Sequence, residues 1–331
     1  MSATRIEEDW EQALAFVSEQ GPYLVVSHLH PDGDAIGSTL AVGWILKRLG
    51  KQVMMVNESP LPEKFRFLPG AEKILSPEEA ESEGPYRRGI AVDVADRERM
   101  GAAGHLLAEA EVLNIDHHPT NDRFGTINLV IPEAAATAEI LCRWARHLQV
   151  EWSVELATCL YTGLLTDTGG FRYTNTTPEV MELASGLLRH GVEPGAIADR
   201  VFETMTRGQL ALLQRALDSL TFSDDGLVAW IKLTREDFRS SEAREEDLDG
   251  IVNYARNVTG VDVGILFRET DGQGIKISLR SREIVDVGKL AQSMGGGGHA
   301  RAAGCSLEGT LDEAEKTLLE QVNVALDGRK G

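Results

Sequence analysis

Cysteine is scarce, with only Cys142, Cys159 and Cys305 in 331 residues. All three stand in apolar surroundings and no C-x-x-C pair occurs. Neither a disulfide framework nor a thiolate zinc site is therefore expected, and the thiols read as buried and reduced. Long apolar runs are missing too. None approaches the ~20 residues of a membrane span, and the N-terminus has no charged-then-apolar signal pattern, so no membrane partner is expected and the cytoplasm is the expected location. Positive charge is in deficit, 33 Lys and Arg against 52 Asp and Glu, for a net charge of −19. Proteins that grip long nucleic acid carry a basic footprint, and none is visible here. Duplex nucleic acid is thus an unsuitable partner. A small or short anionic substrate remains compatible if its site is locally positive, as bound divalent metals would make it.

The length suits two domains, each able to bury a core, and 42% hydrophobic residues describe an ordinary globular chain. Apolar spacing predicts a helix over 5–19. The run "PYLVVS" (22–27) reads as a strand, followed by an amphipathic helix over 34–50 with Asp34 as candidate N-cap and Gly50 just past its end. Further strands are expected at 52–57, 88–96 and 110–118. Strands alternating with helical segments predict βαβ units in a parallel sheet. Helices are expected from 134 to 166, at 177–190 and at 193–219. Strand-like runs then follow at 227–233, 261–269 and 274–281, and a last helix at 311–326. The fold class is α/β, with an N-terminal parallel-sheet domain over 1–190, a helical linker over 191–220 and a smaller α/β domain over 221–331.

Three of the predicted strands end in metal-type residues. The first runs into "SHLHPDGDAIGS", with His28, His30, Asp32 and Asp34; the others end in "DVAD", with Asp93 and Asp96, and "DHH", with Asp116, His117 and His118. Ligands of open α/β sheets gather at the carboxyl ends of strands, so these segments are expected to converge. Asp167 ends a predicted helix and is a fourth contributor. Each segment alone has a plainer reading: Asp34, Asp93 and Asp96 as helix caps, "DHH" as a polar turn, Asp167 as a helix end. Parity cannot choose between His28 and His30. Oxygen and imidazole donors without thiolate suit hard or borderline divalent ions such as Mn²⁺, with Mg²⁺ and Co²⁺ also compatible. So many carboxylates in one place repel one another without counter-charge, and two ions ~3.5–4 Å apart account for their number. Near the C-terminus, "GGGGH" (295–299) lets backbone N–H groups approach a phosphate closely, with His299 beside them.

The segments "HLHPDGDAIGS", "DVADRERMG", "IDHHPTN" and "LLTDTGGFRYTNTTP", in this order, resemble the DHH phosphoesterase superfamily, and "GGGGHARAAG" resembles the signature of its DHH-associated C-terminal domain. The branch most similar is that of the bacterial nanoRNase/pAp phosphatases. The resemblance implies that His28, Asp32 and Asp93 hold one metal ion, and that Asp34, Asp93, His117 and Asp167 hold the other. His28 then takes precedence over His30, which becomes a supporting or structural residue. The same resemblance turns His118 towards the scissile phosphate and leaves Asp116 to orient a ligating imidazole. Arg280, Gly296, Gly297, Gly298 and His299 would bind substrate phosphate, with Arg172, Arg282 and Arg301 as weaker candidates. The implied activity is two-metal hydrolysis of short oligoribonucleotides or of 3′-phosphoadenosine 5′-phosphate. A cyclic or linear dinucleotide phosphodiesterase uses the same parts and stands as the alternative. A pyrophosphatase would lack the glycine run, and a non-catalytic nucleotide-binding protein would have damaged ligand positions. Homodimerisation is the expectation for a soluble enzyme of this size.

Overall fold

Alternation along the first strands builds two hydrophobic layers. In β1 (Tyr23–Val26) every residue is buried. Tyr23 and Val25 join one core, while Leu24 and Val26 join another on the opposite face. Such two-sided burial is what a strand covered by helices on both faces requires. The same division continues through β2 (Val53–Val56), β3 (Ile74–Leu75), β4 (Arg88–Val92) and β5 (Glu111–Asp116). With β6 (Ile127–Val130) the strands are all parallel and ordered β3-β2-β1-β4-β5-β6. The computed structural model describes residues 3–270, 272 and 274–327. The expected parallel sheet is present. The short strands β3 and β6 have no sequence signal strong enough to predict them.

Together with Ala3–Phe16 and Pro178–Leu188, the larger layer contains the helices Gly33–Arg48, Thr137–His147 and Val154–Asp167. Their close approach depends on missing side chains. A β-carbon at Gly37 would lie 2.5 Å from the carbonyl oxygen of Cys159, and one at Gly163 would lie 2.5 Å from an Asp34 carboxylate oxygen. These glycines let the first helix press against the third, which brings Asp34 near the end of the helix that carries Asp167. All three cysteines are buried and unpaired, and burial pushes the Cys142 thiol up to about 12.

The chain divides into two compact units, one through Thr204 and the other from Met205. The helix expected over 193–219 is interrupted. Pro194–Ala198 and the wide turn Asp199–Glu203 end at an extended Thr204, and a new helix starts at Arg207. The Thr206 hydroxyl accepts from the Gln209 N–H, an N-cap strong enough to restart a helix there. Leu212 and Ala216 of that helix pack with Ala229 and Ile231 in the second unit.

The second unit holds a mixed sheet of β7 (Thr221–Phe222), β8 (Val228–Leu233), β9 (Val263–Glu269), β10 (Gly274–Ser281), β11 (Gly297–His299) and β12 (Ala302–Glu308), ordered β11-β12-β10-β9-β8-β7. Only β8 and β9 pair in parallel. The glycine run is an edge strand rather than an open loop. A β-carbon at Gly296 would meet the Gly304 carbonyl oxygen at 2.1 Å, and one at Gly298 (φ +138°) would meet that of Ala302 at 2.5 Å. Gly297 faces open space. No helix among the described residues is long and apolar enough to cross a membrane.

Candidate metal centre

The strands that end in acidic and imidazole residues are β1, β4 and β5, three neighbours in the middle of the sheet. His28 follows β1, Asp93 follows β4, Asp116 closes β5, and His117 and His118 come next. Parallel pairing puts these carboxyl ends along one edge. Asp93 leaves its strand in the left-handed region (φ 58°), where Asp is one of the more tolerant residue types. Its N–H donates to the Ile115 carbonyl of β5.

Asp32, not Asp34, caps the following helix. Its Oδ1 accepts from the N–H groups of Asp34 and Ala35 at 3.1 and 3.0 Å. Both positions carry a good capping residue, but the helix starts at Gly33 and places Asp34 inside its first turn. The buried Asp34 carboxylate instead accepts from the backbone N–H groups of Thr137 and Ala138, at 2.6 and 3.0 Å, where the next helix begins. A helix N-terminus favours negative charge there.

Potential ligand atoms form groups, each within 4.8 Å: His28, Asp32 and Asp93; Asp34, His117 and Asp167; and Asp93, Asp116 and His118, with Asp93 common to the first and last. Asp93 points one oxygen at each of two imidazoles. Its Oδ2 lies 3.3 Å from His28 Nε2, and its Oδ1 lies 3.5 Å from His117 Nε2. His117 Nε2 is also 3.2 Å from Asp167 Oδ2. His28 Nδ1 sits 2.7 Å from the Leu29 carbonyl and His117 Nδ1 sits 3.2 Å from that of Ala134. A carbonyl can only accept, so both rings carry a proton on Nδ1 and turn Nε2 towards the carboxylates. That tautomer is the one a metal-ligating histidine needs. His30 is exposed, with its N–H donating to Ser59 Oγ, and belongs to none of these groups.

Electrostatics tests whether this donor set fits cations. Five carboxylates against three imidazoles leave negative charge over even with every imidazole protonated. Burial, together with the charges of Asp93 and Asp167, pushes the Asp34 carboxyl well above its usual range. Burial, with Asp32 and Asp93 beside it, raises Asp167 to about 6 even though His117 opposes this. Burial alone would lower the His28 pKa, but its hydrogen bond to Asp93 and the charges of Asp32 and Asp93 raise it to about 9. Burial opposes ionisation of Asp93 as well, yet the hydrogen bond from His28 and the surrounding imidazoles hold it far below the carboxylate range. Protons here do what divalent cations would do better, so the donor set fits bound metal ions.

Several supporting residues have no motif to announce them. Thr137 Oγ1 donates to Asp93 Oδ1 at 3.0 Å, so one residue touches both Asp34 and Asp93. Asn57 Nδ2 donates to Ser27 Oγ and to the His28 carbonyl. Asn175 Nδ2 donates to the carbonyls of Ala135 and Asp167. Asp116, expected to orient a ligating imidazole, instead accepts from His118 Nδ1 at 2.8 Å and from Asn121 Nδ2 at 2.6 Å. Alternate residues of extended chain turn to one side, which brings His118 to Asp116, whereas the His117 ring faces the Ala134 carbonyl. Asp96 Oδ1 accepts from the Arg99 N–H at 3.0 Å, at the start of the helical turn Glu98–Leu107.

In the second unit, Arg280 and His299 are both in register with Ala302, one from each side of β12. Directly opposed residues of antiparallel strands share a face. The guanidinium and the imidazole therefore flank a methyl group on one side of the sheet. Arg282 and Arg301 have structural partners: Arg282 donates to the carbonyls of Arg256 and Asn257, and Arg301 to the Val285 carbonyl.

The model of the DHH family N-terminal domain matches residues 22–164, and that of the DHHA1 domain matches residues 226–327. The bifunctional oligoribonuclease and PAP phosphatase NrnA of Thermus thermophilus is 39% identical over 308 residues, covering 93% of this chain and 91% of that protein. The Bacillus subtilis protein of the same name is 26% identical, covering 88% and 91%. Among solved structures, an exopolyphosphatase-related protein from Bacteroides fragilis superposes with a TM-score of 0.87 at 29% identity, covering 98% of this chain and 97% of that one. With a DHH domain, a DHHA1 domain and a relative this similar over nearly its whole length, the chain belongs to the DHH family of metal-dependent phosphoesterases, in the branch that includes NrnA.

Proposed function

We propose that this protein hydrolyses short oligoribonucleotides to mononucleotides and 3′-phosphoadenosine 5′-phosphate to AMP, using two Mn²⁺ ions. The observation that carries the reading is Asp93, whose Oδ2 faces His28 Nε2 at 3.3 Å and whose Oδ1 faces His117 Nε2 at 3.5 Å. His28, Asp32 and Asp93 would hold one ion, and Asp34, Asp93, His117 and Asp167 the other. Such a pair supplies positive charge that lowers the barrier to attack of water on phosphorus. The relatives named as oligoribonuclease and PAP phosphatase support the substrate class. Oxygen and imidazole donors support Mn²⁺.

The remaining roles belong to the chain's own groups. Asp116 holds His118 by Nδ1, and Asn121 steadies Asp116 in turn, which directs the His118 Nε2 away from that carboxylate. Burial lowers the His118 pKa, but Asp116 and Asp93 outweigh it and raise it, so the ring is able to carry a proton to a phosphoryl or leaving-group oxygen. Thr137 and the helix start behind it fix the Asp93 and Asp34 carboxylates. In the second unit, Arg280 and His299 would take the substrate's terminal phosphate, with Gly296, Gly297 and Gly298 keeping the adjoining strand close.

The test is a parallel assay of a 5′-phosphorylated RNA dimer, 3′-phosphoadenosine 5′-phosphate and pyrophosphate with Mn²⁺. Turnover of the first two and its loss in Asp93→Asn are expected. Hydrolysis of pyrophosphate alone, or an Asp93→Asn protein with wild-type turnover, would overturn the reading.

A further inference from the structure

The first unit carries an aromatic and arginine strip that the metal centre does not use. It starts where the Asp167 helix ends. Gly169, Gly170 and Phe171 follow in succession with φ of +58°, +75° and +60°. The last is a costly conformation for a residue with a β-carbon. This tight reversal is pinned by Gly170 N–H to the Leu165 carbonyl and by Phe171 N–H to Thr168 Oγ1. It lays the Tyr173 ring over Gly169, so closely that a β-carbon there would lie 2.3 Å from the ring. Arg172 donates to the Gly169 carbonyl and stands over the Phe202 ring, 5.8 Å from its centroid. Arg200, on the same turn as Phe202, stands 5.2 Å from the centroid of Phe67. Tyr173 and Phe202 remain 45% and 39% exposed.

Rings packed for stability alone would be covered. Tyr173 and Phe202 are open, while Phe67 is half-buried against the core. The rings alternate with guanidinium groups on a chain whose net charge is −19. Exposed aromatics interleaved with arginine suit single-stranded nucleic acid, because every base has a face to stack and every linkage has a charge to neutralise. We infer that Tyr173, Arg172, Phe202, Arg200 and Phe67 form a stacking track for the nucleotides of a short RNA beyond the one being released. The inference rests on the proposed function and adds a subsite to it. The track makes length matter: a third and fourth nucleotide gain stacking partners that a dinucleotide cannot reach.

The experiment compares wild type, Phe202→Ala and Phe202→Tyr on 5′-phosphorylated RNA of two, three and four nucleotides. Phe202 is exposed, so losing its ring leaves the core intact. In wild type, KM should fall with length. In Phe202→Ala, KM for the tetranucleotide should rise about ten-fold, the loss of one stacked base, with kcat kept. Phe202→Tyr should restore it. Identical length dependence in wild type and Phe202→Ala overturns the track alone. So does a change of oligomeric state in Phe202→Ala with unaltered KM values, which would assign the patch to contact between copies. Wild-type protein inert towards every RNA length overturns both the track and the proposed function.

Discussion

Replacing Thr137 by Val removes one hydroxyl and keeps the shape. That hydroxyl donates to Asp93 Oδ1 at 3.0 Å, and both residues are buried. A hydrogen bond to a charged group contributes ~1.5–3 kcal/mol, and a buried carboxylate left short of a donor cannot turn to water instead. Chelated Thr137→Val should therefore lose about 2 kcal/mol of folding stability, read by urea denaturation. Asp93 also loses the group that holds its plane between the two ligand sets. Outer-shell losses of this kind weaken metal binding about 10–100-fold. Titration calorimetry with Mn²⁺ should show that loss with two ions still bound, because the backbone N–H groups of residues 137 and 138 continue to hold Asp34. Thr137→Ser keeps the hydroxyl and should bind Mn²⁺ nearly as wild type does. A Val variant with wild-type Mn²⁺ affinity would refute the reasoning, whatever its stability.

Two further outcomes follow from the same site. His28→Ala should lose one bound metal by elemental analysis, whereas His30→Ala, altering an exposed ring outside the ligand groups, should retain both; emptying of the site by His30→Ala would reverse the assignment. For pH, His28 is raised in the folded chain from 6.5 to about 9 and Asp167 from 3.8 to about 6. In both cases the folded protein binds more protons than the unfolded one, so stability falls as pH rises through those windows. The melting temperature of chelated protein should accordingly drop between pH 6 and 9. Metal competes with the same protons, so apparent Mn²⁺ affinity should rise over that range. Affinity independent of pH, measured by calorimetry, would contradict it.

Much of the site is legible in the sequence because buried parallel strands are apolar, and a strand that ends abruptly in Asp or His declares a functional end. That contrast alone marks the 28–34 segment, Asp93 and the Asp116–His118 run, though it does not choose between His28 and His30. The division of labour between Asp32 and Asp34 is not legible, since either is a good cap and only the helix start decides. Thr137, 44 residues from Asp93, makes its contact through the fold and leaves no periodic trace. The glycine run shows the same limit: its composition announces close approach to something, but a neighbouring strand's carbonyls are what it approaches at Gly296 and Gly298.

The chain by itself determined the donor chemistry, oxygen and imidazole without thiolate, because composition and strand-end polarity are local properties. It also determined the alternation that buries one sheet between two apolar layers. Only the tertiary structure decided which carboxylate faces which imidazole, that Asp116 serves His118, and that Arg172 stands over the Phe202 ring. Those facts depend on distances between segments far apart in the chain, and a hydrogen bond or stacking contact exists only within a few ångströms of its partner.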